Sequence, residues 1–213
     1  MGYRAKKAYQ DKITVESYNS KRFKSFKGKI TNWLELRLID KALRYLQVSP
    51  PAQILDVPCG TGRLTFHLIE KGYNVTAVDI SSEMVSYMNK MAMTGGLSVD
   101  AEVGDAECLS FQDGSFDGSI CLRLLGHTPP ENRLKIIQEL NRVCSDFLIL
   151  AYYNKKSLKN ILRKYRRKRK NIPWYPVDIF QIDWEIKKLG FKRYRVFYLA
   201  YGISETMFVV VRK

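Results

Sequence analysis

Two aspartates and two glycines near position 60 have the residue types and spacing needed to hold a nucleoside. Asp56 ends a buried apolar run, Gly60 and Gly62 follow it closely, and Asp79 ends the next apolar run. Glycine lets the backbone approach a ligand because it has no Cβ. An acid about 20 residues after a Gly-x-Gly turn can accept hydrogen bonds from both hydroxyls of a ribose. These residues therefore predict a site for a cofactor that contains adenosine.

A second polar segment, 103–117, narrows the kind of cofactor. Dinucleotide sites usually continue the Gly-x-Gly turn to a further glycine at the position where this chain has Thr65. No Gly-Lys-Ser/Thr tripeptide follows the turn, which argues against a nucleoside-triphosphate loop. Asp105 lies just past the third predicted strand, where its carboxylate could accept the adenine amine, and the Ala106 N–H could donate to a ring nitrogen. The pattern favours an adenosine cofactor other than a dinucleotide.

The elements that must position these residues alternate between strands and helices. The pattern predicts strands near 53–57, 74–79, 98–103, 117–122 and 146–152, with helices over 31–46, 62–71, 82–92 and 131–142. Such alternation indicates a parallel sheet that is covered on both faces. A helix over 177–189 and two strands over 192–199 and 206–212 follow, and their hairpin predicts an antiparallel edge.

These motifs resemble those of the class I S-adenosylmethionine-dependent methyltransferases, in particular the small-molecule, methyltransferase-domain type. The matching residues are Asp56-x-x-Cys59-Gly60-Thr61-Gly62, Asp79-Ile80-Ser81, Gly104-Asp105-Ala106-Glu107 and Phe116-Asp117, within about 52–150. The resemblance implies an α/β, Rossmann-like sheet of seven mostly parallel strands in the order 3-2-1-4-5-7-6. Strand 7 would be antiparallel, helices would cover both faces, and an N-terminal helical lid would cover the site. The implied cofactor is S-adenosyl-L-methionine.

The resemblance also implies which residues contact each part of this cofactor. Asp105 and Ala106 would hold the adenine edge, and Asp79 would bind the ribose. The remaining contacts are Asp56 near the amino group, Gly60 and Gly62 under the methionine part, Ile80 against the adenine, Leu124 near the sulfonium, and Tyr18 and Arg22 from the lid.

The residues that follow strands four and five are candidates for the methyl-transfer chemistry. Transfer from a sulfonium needs a base only if the acceptor must lose a proton, as a hydroxyl would. His127 is the candidate base because imidazole titrates near neutral pH, and Tyr153 is placed near the acceptor. Arg123 is expected either to bind an acidic acceptor or to pair with a carboxylate, and the sequence leaves these two roles open.

The chain carries a net charge of +15, and ten basic residues with no acid lie within 155–170. Leu158, Ile161, Leu162 and Tyr165 follow a helical spacing inside this run, which predicts a basic amphipathic helix over 157–170. Three interpretations stay open: a helix on an anionic membrane surface, a nucleic-acid clamp, or a lid that packs on the domain.

The sequence predicts a single domain over 1–213. Its parts are a lid at 1–50, a cofactor-binding core at 51–152, a basic helical insertion at 153–176, and a C-terminal helix and hairpin at 177–213. Four scattered cysteines predict reduced thiols, no metal site and a cytoplasmic location, and no apolar run is long enough to cross a membrane. The expected function is methyl transfer to a small molecule, with oxygen as the candidate acceptor atom and an anionic group as a candidate feature of the acceptor. The alternatives are an RNA or tRNA methyltransferase, and a non-catalytic cofactor-binding protein that docks on anionic partners.

Overall fold

Strands and helices alternate through residues 26–165 and 174–213, the part of the chain described by the structure, a computed structural model. The strands are β1 (Gln53–Asp56), β2 (Asn74–Asp79), β3 (Asp100–Val103), β4 (Phe116–Cys121), β5 (Cys144–Tyr153), β6 (Tyr194–Tyr198) and β7 (Thr206–Arg212). The helices are α1 (Phe26–Tyr45), α2 (Arg63–Glu70), α3 (Ser82–Thr94), α4 (Pro130–Val143), α5 (Leu158–Tyr165) and α6 (Ile179–Lys188), with a 3-10 turn at Leu125–His127. The predicted elements are present, with ends that shift by a few residues.

The seven strands form a single sheet in the order β3-β2-β1-β4-β5-β7-β6. Neighbours from β3 to β5 pair in parallel, and β7 pairs antiparallel with both β5 and β6. The predicted strand order and the antiparallel seventh strand are therefore confirmed. Because the first five strands are parallel, their carboxyl ends meet at one edge of the sheet, where ligands bind in open α/β folds.

Two apolar layers cover the two faces of the sheet. On one face α4 and α6 contribute side chains such as Ile137, Leu140 and Ile186, all fully buried. On the other face α1 and α2 pack through residues that include Leu43 and Leu68. Strands β5 and β7 are buried along most of their length, and their largely apolar sequences follow from this position.

Local sequence explains where the helices begin. The Ser81 hydroxyl accepts a hydrogen bond from the Met84 N–H at 3.3 Å and caps α3. Pro130 lies in the first turn of α4, where its missing N–H has no cost. Between β3 and β4 the chain forms turns rather than a helix, as the shortness of this connection predicts.

The predicted N-terminal lid is only partly described. Tyr18 and Arg22, the predicted lid contacts to the cofactor, lie outside the described residues. Helix α1 packs along one face of the sheet through Ile39 and Leu43. None of the helices in the described part of the chain is both long enough and apolar enough to span a bilayer.

Candidate cofactor and acceptor site

A pocket opens at the carboxyl ends of β1, β2 and β4, and most of the predicted cofactor residues line it. Its walls include Asp56, Gly60, Asp79, Ile80, Asp105, Ala106, Leu124 and His127. Gly62 and Tyr153 are not among the residues that line it. The structure thus brings together the predicted residues of four separate segments.

Asp79 holds the glycine turn in place and faces the pocket. Its Oδ2 accepts a hydrogen bond from the Gly60 N–H at 2.8 Å, and its Oδ1 accepts one from the Ser81 N–H at 3.0 Å. Burial raises the pKa of this carboxyl, and the backbone N–H donors oppose the shift. Each carboxylate oxygen has a further lone pair, so Asp79 can accept two ribose hydroxyls while it keeps the turn ordered.

Gly60 provides the close approach that the sequence predicts. Its φ is +54°, and a Cβ added there would meet no atom within 4 Å, so it would project into open space beside the pocket. Gly62 has a different role. Its φ is +83°, and a Cβ there would lie 2.5 Å from Met88 Cγ and 2.8 Å from Phe66 Cε2. Gly62 is therefore required for the packing of α2 against α3.

Asp56 is fully buried at the end of β1, and only one of its two carboxylate oxygens has a hydrogen-bond partner. Its Oδ2 accepts a hydrogen bond from the Thr65 hydroxyl at 2.7 Å, while its Oδ1 has no hydrogen-bond partner. Burial raises the pKa of Asp56 to about 7, although the Thr65 bond and the charge of Arg63 oppose the shift. A buried acceptor of this kind suits an ammonium group.

Thr65 is a functional residue whose role sequence reasoning missed. It stands where dinucleotide folds have a third glycine, and its side chain orients Asp56. The sequence signal for this contact was a hydroxyl side chain at the start of the predicted helix, nine positions after Asp56.

Asp105 and Ala106, the residues predicted to hold the adenine edge, line the pocket together with Ile80. Asp105 Oδ1 accepts the Glu107 N–H at 3.0 Å, so this residue also shapes its own turn. Gly104 lies close to β2, and a Cβ on it would stand 2.8 Å from Val78 Cγ1. These contacts fix the segment at the end of β3 against β2.

Two arginines on the pocket wall share one buried carboxylate from α1. Glu35 Oε2 lies 2.6 Å from Arg123 Nη2 and 3.2 Å from Arg63 Nη2. Of the two roles that the sequence leaves open for Arg123, the structure shows the pairing with a carboxylate. Arg123 adopts a positive φ of 61°, a backbone conformation that non-glycine residues seldom adopt. The ion pairs tie α1 to the loop after β4.

His127 lies at the far end of the pocket against two aromatic rings. Its ring centroid is 5.6 Å from that of Tyr153 and 5.1 Å from that of Trp174, both edge to face. Tyr153 and Trp174 stack at 3.9 Å. Tyr153 therefore supports His127 from behind rather than lining the pocket. Gly126 allows this contact, because a Cβ there would lie 1.8 Å from Tyr153 Cδ2.

A buried charge network lies beneath the loop that carries His127. The Arg133 guanidinium on α4 bonds to both Glu185 oxygens, with Nε 3.0 Å from each, and Arg133 Nη1 donates to the Thr128 carbonyl at 3.5 Å. The Tyr152 hydroxyl donates to Glu185 Oε2 at 3.0 Å. Burial, followed by the charge of Glu185, raises the pKa of Tyr152 well above its usual value. The phenol therefore keeps its proton and acts as a donor.

The fold and the pocket define an α/β protein with a pocket suited to an adenosine cofactor at the carboxyl edge of its sheet. Residues 54–146 match the family described as "Methyltransferase domain". This segment is therefore similar to methyltransferase domains, as the motifs predict, and S-adenosylmethionine is the cofactor that this similarity implies.

Known proteins resemble the chain in sequence and in structure. The Ubiquinone biosynthesis O-methyltransferase of Xanthomonas campestris pv. campestris (strain B100) is 36% identical over 100 residues, which cover 46% of this chain and 39% of that protein. The Norajmaline N-methyltransferase of Rauvolfia serpentina is 31% identical over 127 residues, which cover 54% of this chain and 43% of that protein. The chain thus spans about two fifths of these relatives.

A solved structure matches over the full length. The magnesium protoporphyrin IX methyltransferase of Synechocystis PCC 6803 with bound SAM aligns with a TM-score of 0.73 and 20% identity, over 100% of this chain and 99% of that one. At this identity the match establishes the shared fold.

The pocket fits S-adenosylmethionine in three respects. Asp56 Oδ1 offers an unused buried acceptor for the amino group, Gly60 leaves room where a Cβ would stand, and Asp79 can accept the ribose hydroxyls. Within residues 26–165 and 174–213, no three potential metal-ligating side chains lie together.

Proposed function

We propose that this chain transfers a methyl group from S-adenosylmethionine to a hydroxyl of a small molecule. The observation that carries the proposal is the continuity of the pocket. It runs from Gly60 and Asp79 past Leu124 to His127, which stands against Tyr153 and Trp174. Several relatives are O-methyltransferases by name, which agrees with transfer to oxygen.

His127 is proposed as the base. When bound, S-adenosylmethionine supplies a methyl group on a sulfonium, and the electron pair of the broken C–S bond stays on sulfur. The acceptor oxygen would form the C–O bond as the C–S bond breaks, and His127 would take the hydroxyl proton. Its contacts with Tyr153 and Trp174 fix the plane of the imidazole, which lowers the entropy that must be lost on alignment. Tyr153 contributes through His127, as a positioning residue.

Two arginines on the wall are compatible with an acidic group in the ligands. Arg63 and Arg123 both line the pocket and both pair with Glu35. Guanidinium groups of this kind bind carboxylates, and the cofactor carries one.

We propose a cytoplasmic location for the reaction. The support is the state of Cys59, Cys108, Cys121 and Cys144, which form no disulfide in the structure. Free thiols are typical of reducing compartments.

The proposal is tested with purified protein, methyl-labelled S-adenosylmethionine, and the small-molecule and RNA fractions of a cell extract. The expected result is label in the small-molecule fraction, reduced by about 100-fold or more in His127→Ala. The matched control is His67→Ala, because His67 pairs with Asp40 at 2.8 Å away from the pocket, and it should retain near-normal transfer. Label found only in RNA would contradict a small-molecule acceptor, and equal transfer by His127→Ala would contradict the proposed base.

A further inference from the structure

The start of α5 lies at the same edge of the sheet as the pocket and carries exposed aliphatic side chains. Leu158, Ile161 and Leu162 fall at helical spacing and are each about half exposed, between 44% and 51%. They occupy one stripe of the helix, as positions i, i+3 and i+4 do. Strand β5 ends just before this helix, so the stripe stands near the carboxyl ends of the strands.

Neighbouring elements extend this stripe into a larger surface. The Leu158 N–H donates to the Gly202 carbonyl at 2.8 Å, which places the turn after β6 beside α5. Tyr201 and Ile203 in that turn are 80% and 66% exposed. On the other side, Lys156 Nζ lies 6.0 Å from the ring of Phe180, an exposed residue at the start of α6. We call Leu158, Ile161, Leu162, Phe180, Tyr201 and Ile203 the apolar surface.

Basic residues surround the apolar surface, and the nearby acids are already bonded. Lys155 and Lys156 are exposed at its edge. Glu205 is buried and bonds to Lys159 at 2.7 Å, and Asp178 caps α6 by accepting the Gln181 N–H. The chain then continues through the rest of the run 155–170, which has ten basic residues and no acid. The surface therefore combines exposed hydrocarbon with neighbouring exposed lysines.

From this combination we infer that the apolar surface docks on an anionic lipid bilayer. Aliphatic side chains gain from transfer into the hydrocarbon boundary, and lysines and arginines gain from the phosphates of the headgroups. Nucleic acid offers the second of these gains but no hydrocarbon phase for Leu158, Ile161 and Leu162. A membrane is therefore the partner that interacts with both the apolar and the basic side chains of this surface.

The docked orientation would bring the pocket close to the bilayer. Trp174 Nε1 donates to Asn160 Oδ1 on α5 at 3.0 Å, and the same ring stacks on Tyr153 behind His127. Asn160 in turn donates to the Asn154 carbonyl at 2.7 Å. The surface and the wall of the pocket are thus one connected structure. This inference does not depend on the identity of the acceptor.

Vesicle flotation tests the inference with the purified full chain. The vesicles are phosphatidylcholine alone, or phosphatidylcholine mixed with phosphatidylglycerol. We expect flotation with the mixed vesicles and not with phosphatidylcholine alone. The Ile161→Ser/Leu162→Ser double variant should lose about tenfold or more in partitioning, and Lys155→Gln/Lys156→Gln should lose several-fold.

Matched controls separate this surface from general exposure and charge. Met91→Ser/Met93→Ser removes two exposed apolar side chains from α3, and Lys90→Gln/Lys135→Gln removes two exposed lysines elsewhere. Both should float like the unchanged protein. Equal flotation of the Ile161→Ser/Leu162→Ser variant would overturn the inference. So would an absence of flotation together with salt-sensitive binding of RNA, which would assign the surface to nucleic acid.

Discussion

The cofactor side of the pocket, at the ends of β1 to β3, and the acceptor side, in the loops after β4 and β5, are held together by different contacts. On the cofactor side the partners are close in sequence: Thr65 bonds to Asp56 nine positions away, and Gly60 bonds to Asp79 nineteen away. On the acceptor side the partners are distant. Arg133 bonds to Glu185 across 52 positions, and Arg123 bonds to Glu35 across 88. The cofactor side is therefore a local motif, whereas the acceptor side depends on the completed tertiary fold.

Removing one partner from the buried network of Arg133, Glu185 and Tyr152 should cause the largest loss of stability among the proposed variants. Glu185→Ala leaves the Arg133 guanidinium buried without its carboxylate, which costs about 3–5 kcal/mol of the free energy of unfolding. The control is Asp183→Ala on the same helix, because Asp183 forms an exposed i,i+4 pair with Lys187 at 2.8 Å and should cost about 0.5 kcal/mol or less. Urea unfolding measures both variants. Equal stabilities would show that the network does not hold this side together.

Adding a Cβ at Gly60 should weaken cofactor binding, because this Cβ would project into the pocket. Gly60→Ala and Gly96→Ala place a Cβ at similar positive φ values, 54° and 66°, and neither Cβ meets an atom within 4 Å. Both variants should therefore lose a similar stability, about 1 kcal/mol. Only Gly60 lines the pocket, so only Gly60→Ala should weaken binding of S-adenosylhomocysteine, by about tenfold or about 1.4 kcal/mol. A Gly96→Ala variant that loses as much affinity would contradict the assignment.

The pH dependence of cofactor binding should follow the ionisation of the Asp56 carboxyl. Its pKa is raised to about 7, so the ionised fraction falls about tenfold between pH 8 and pH 6. An ammonium binds the carboxylate and not the acid, so the affinity should fall by up to about the same factor as the pH is lowered. Asp79, whose pKa is also raised by burial, acts in the same direction because ribose hydroxyls favour its ionised form.

The Asp56→Asn variant separates these two carboxyls. Calorimetric titrations with S-adenosylhomocysteine across this pH range should show a clearly flatter profile for the variant than for the unchanged protein. An unchanged slope in Asp56→Asn would show that Asp56 does not contact the amino group.

The same contrast explains what could be predicted from the sequence. Asp56, Gly60, Asp79 and Asp105 could be identified because strand, turn and helix signals lie next to them, and the order of the elements gave the sheet. The motif predicted that Gly62 contacts the cofactor. Its packing against Met88 and Phe66 leaves no local sequence pattern, so the sequence did not predict this contact. The stacking of Trp174 on Tyr153 and the pairing of Glu35 with two arginines also left no signal, because these residues meet only when distant segments pack together.

Calorimetric binding of S-adenosylhomocysteine to the unchanged protein and to Asp79→Ala is the most direct test of the central claim that this pocket holds the methyl donor. Asp100→Ala is the control, because Asp100 lies at the start of β3 and accepts a bond from Thr76 at 3.0 Å. We expect micromolar binding for the unchanged protein and for Asp100→Ala, and affinity about 100-fold weaker for Asp79→Ala, a loss of roughly 3 kcal/mol. Absence of binding, or an Asp79→Ala variant that binds as tightly as the unchanged protein, would contradict the account.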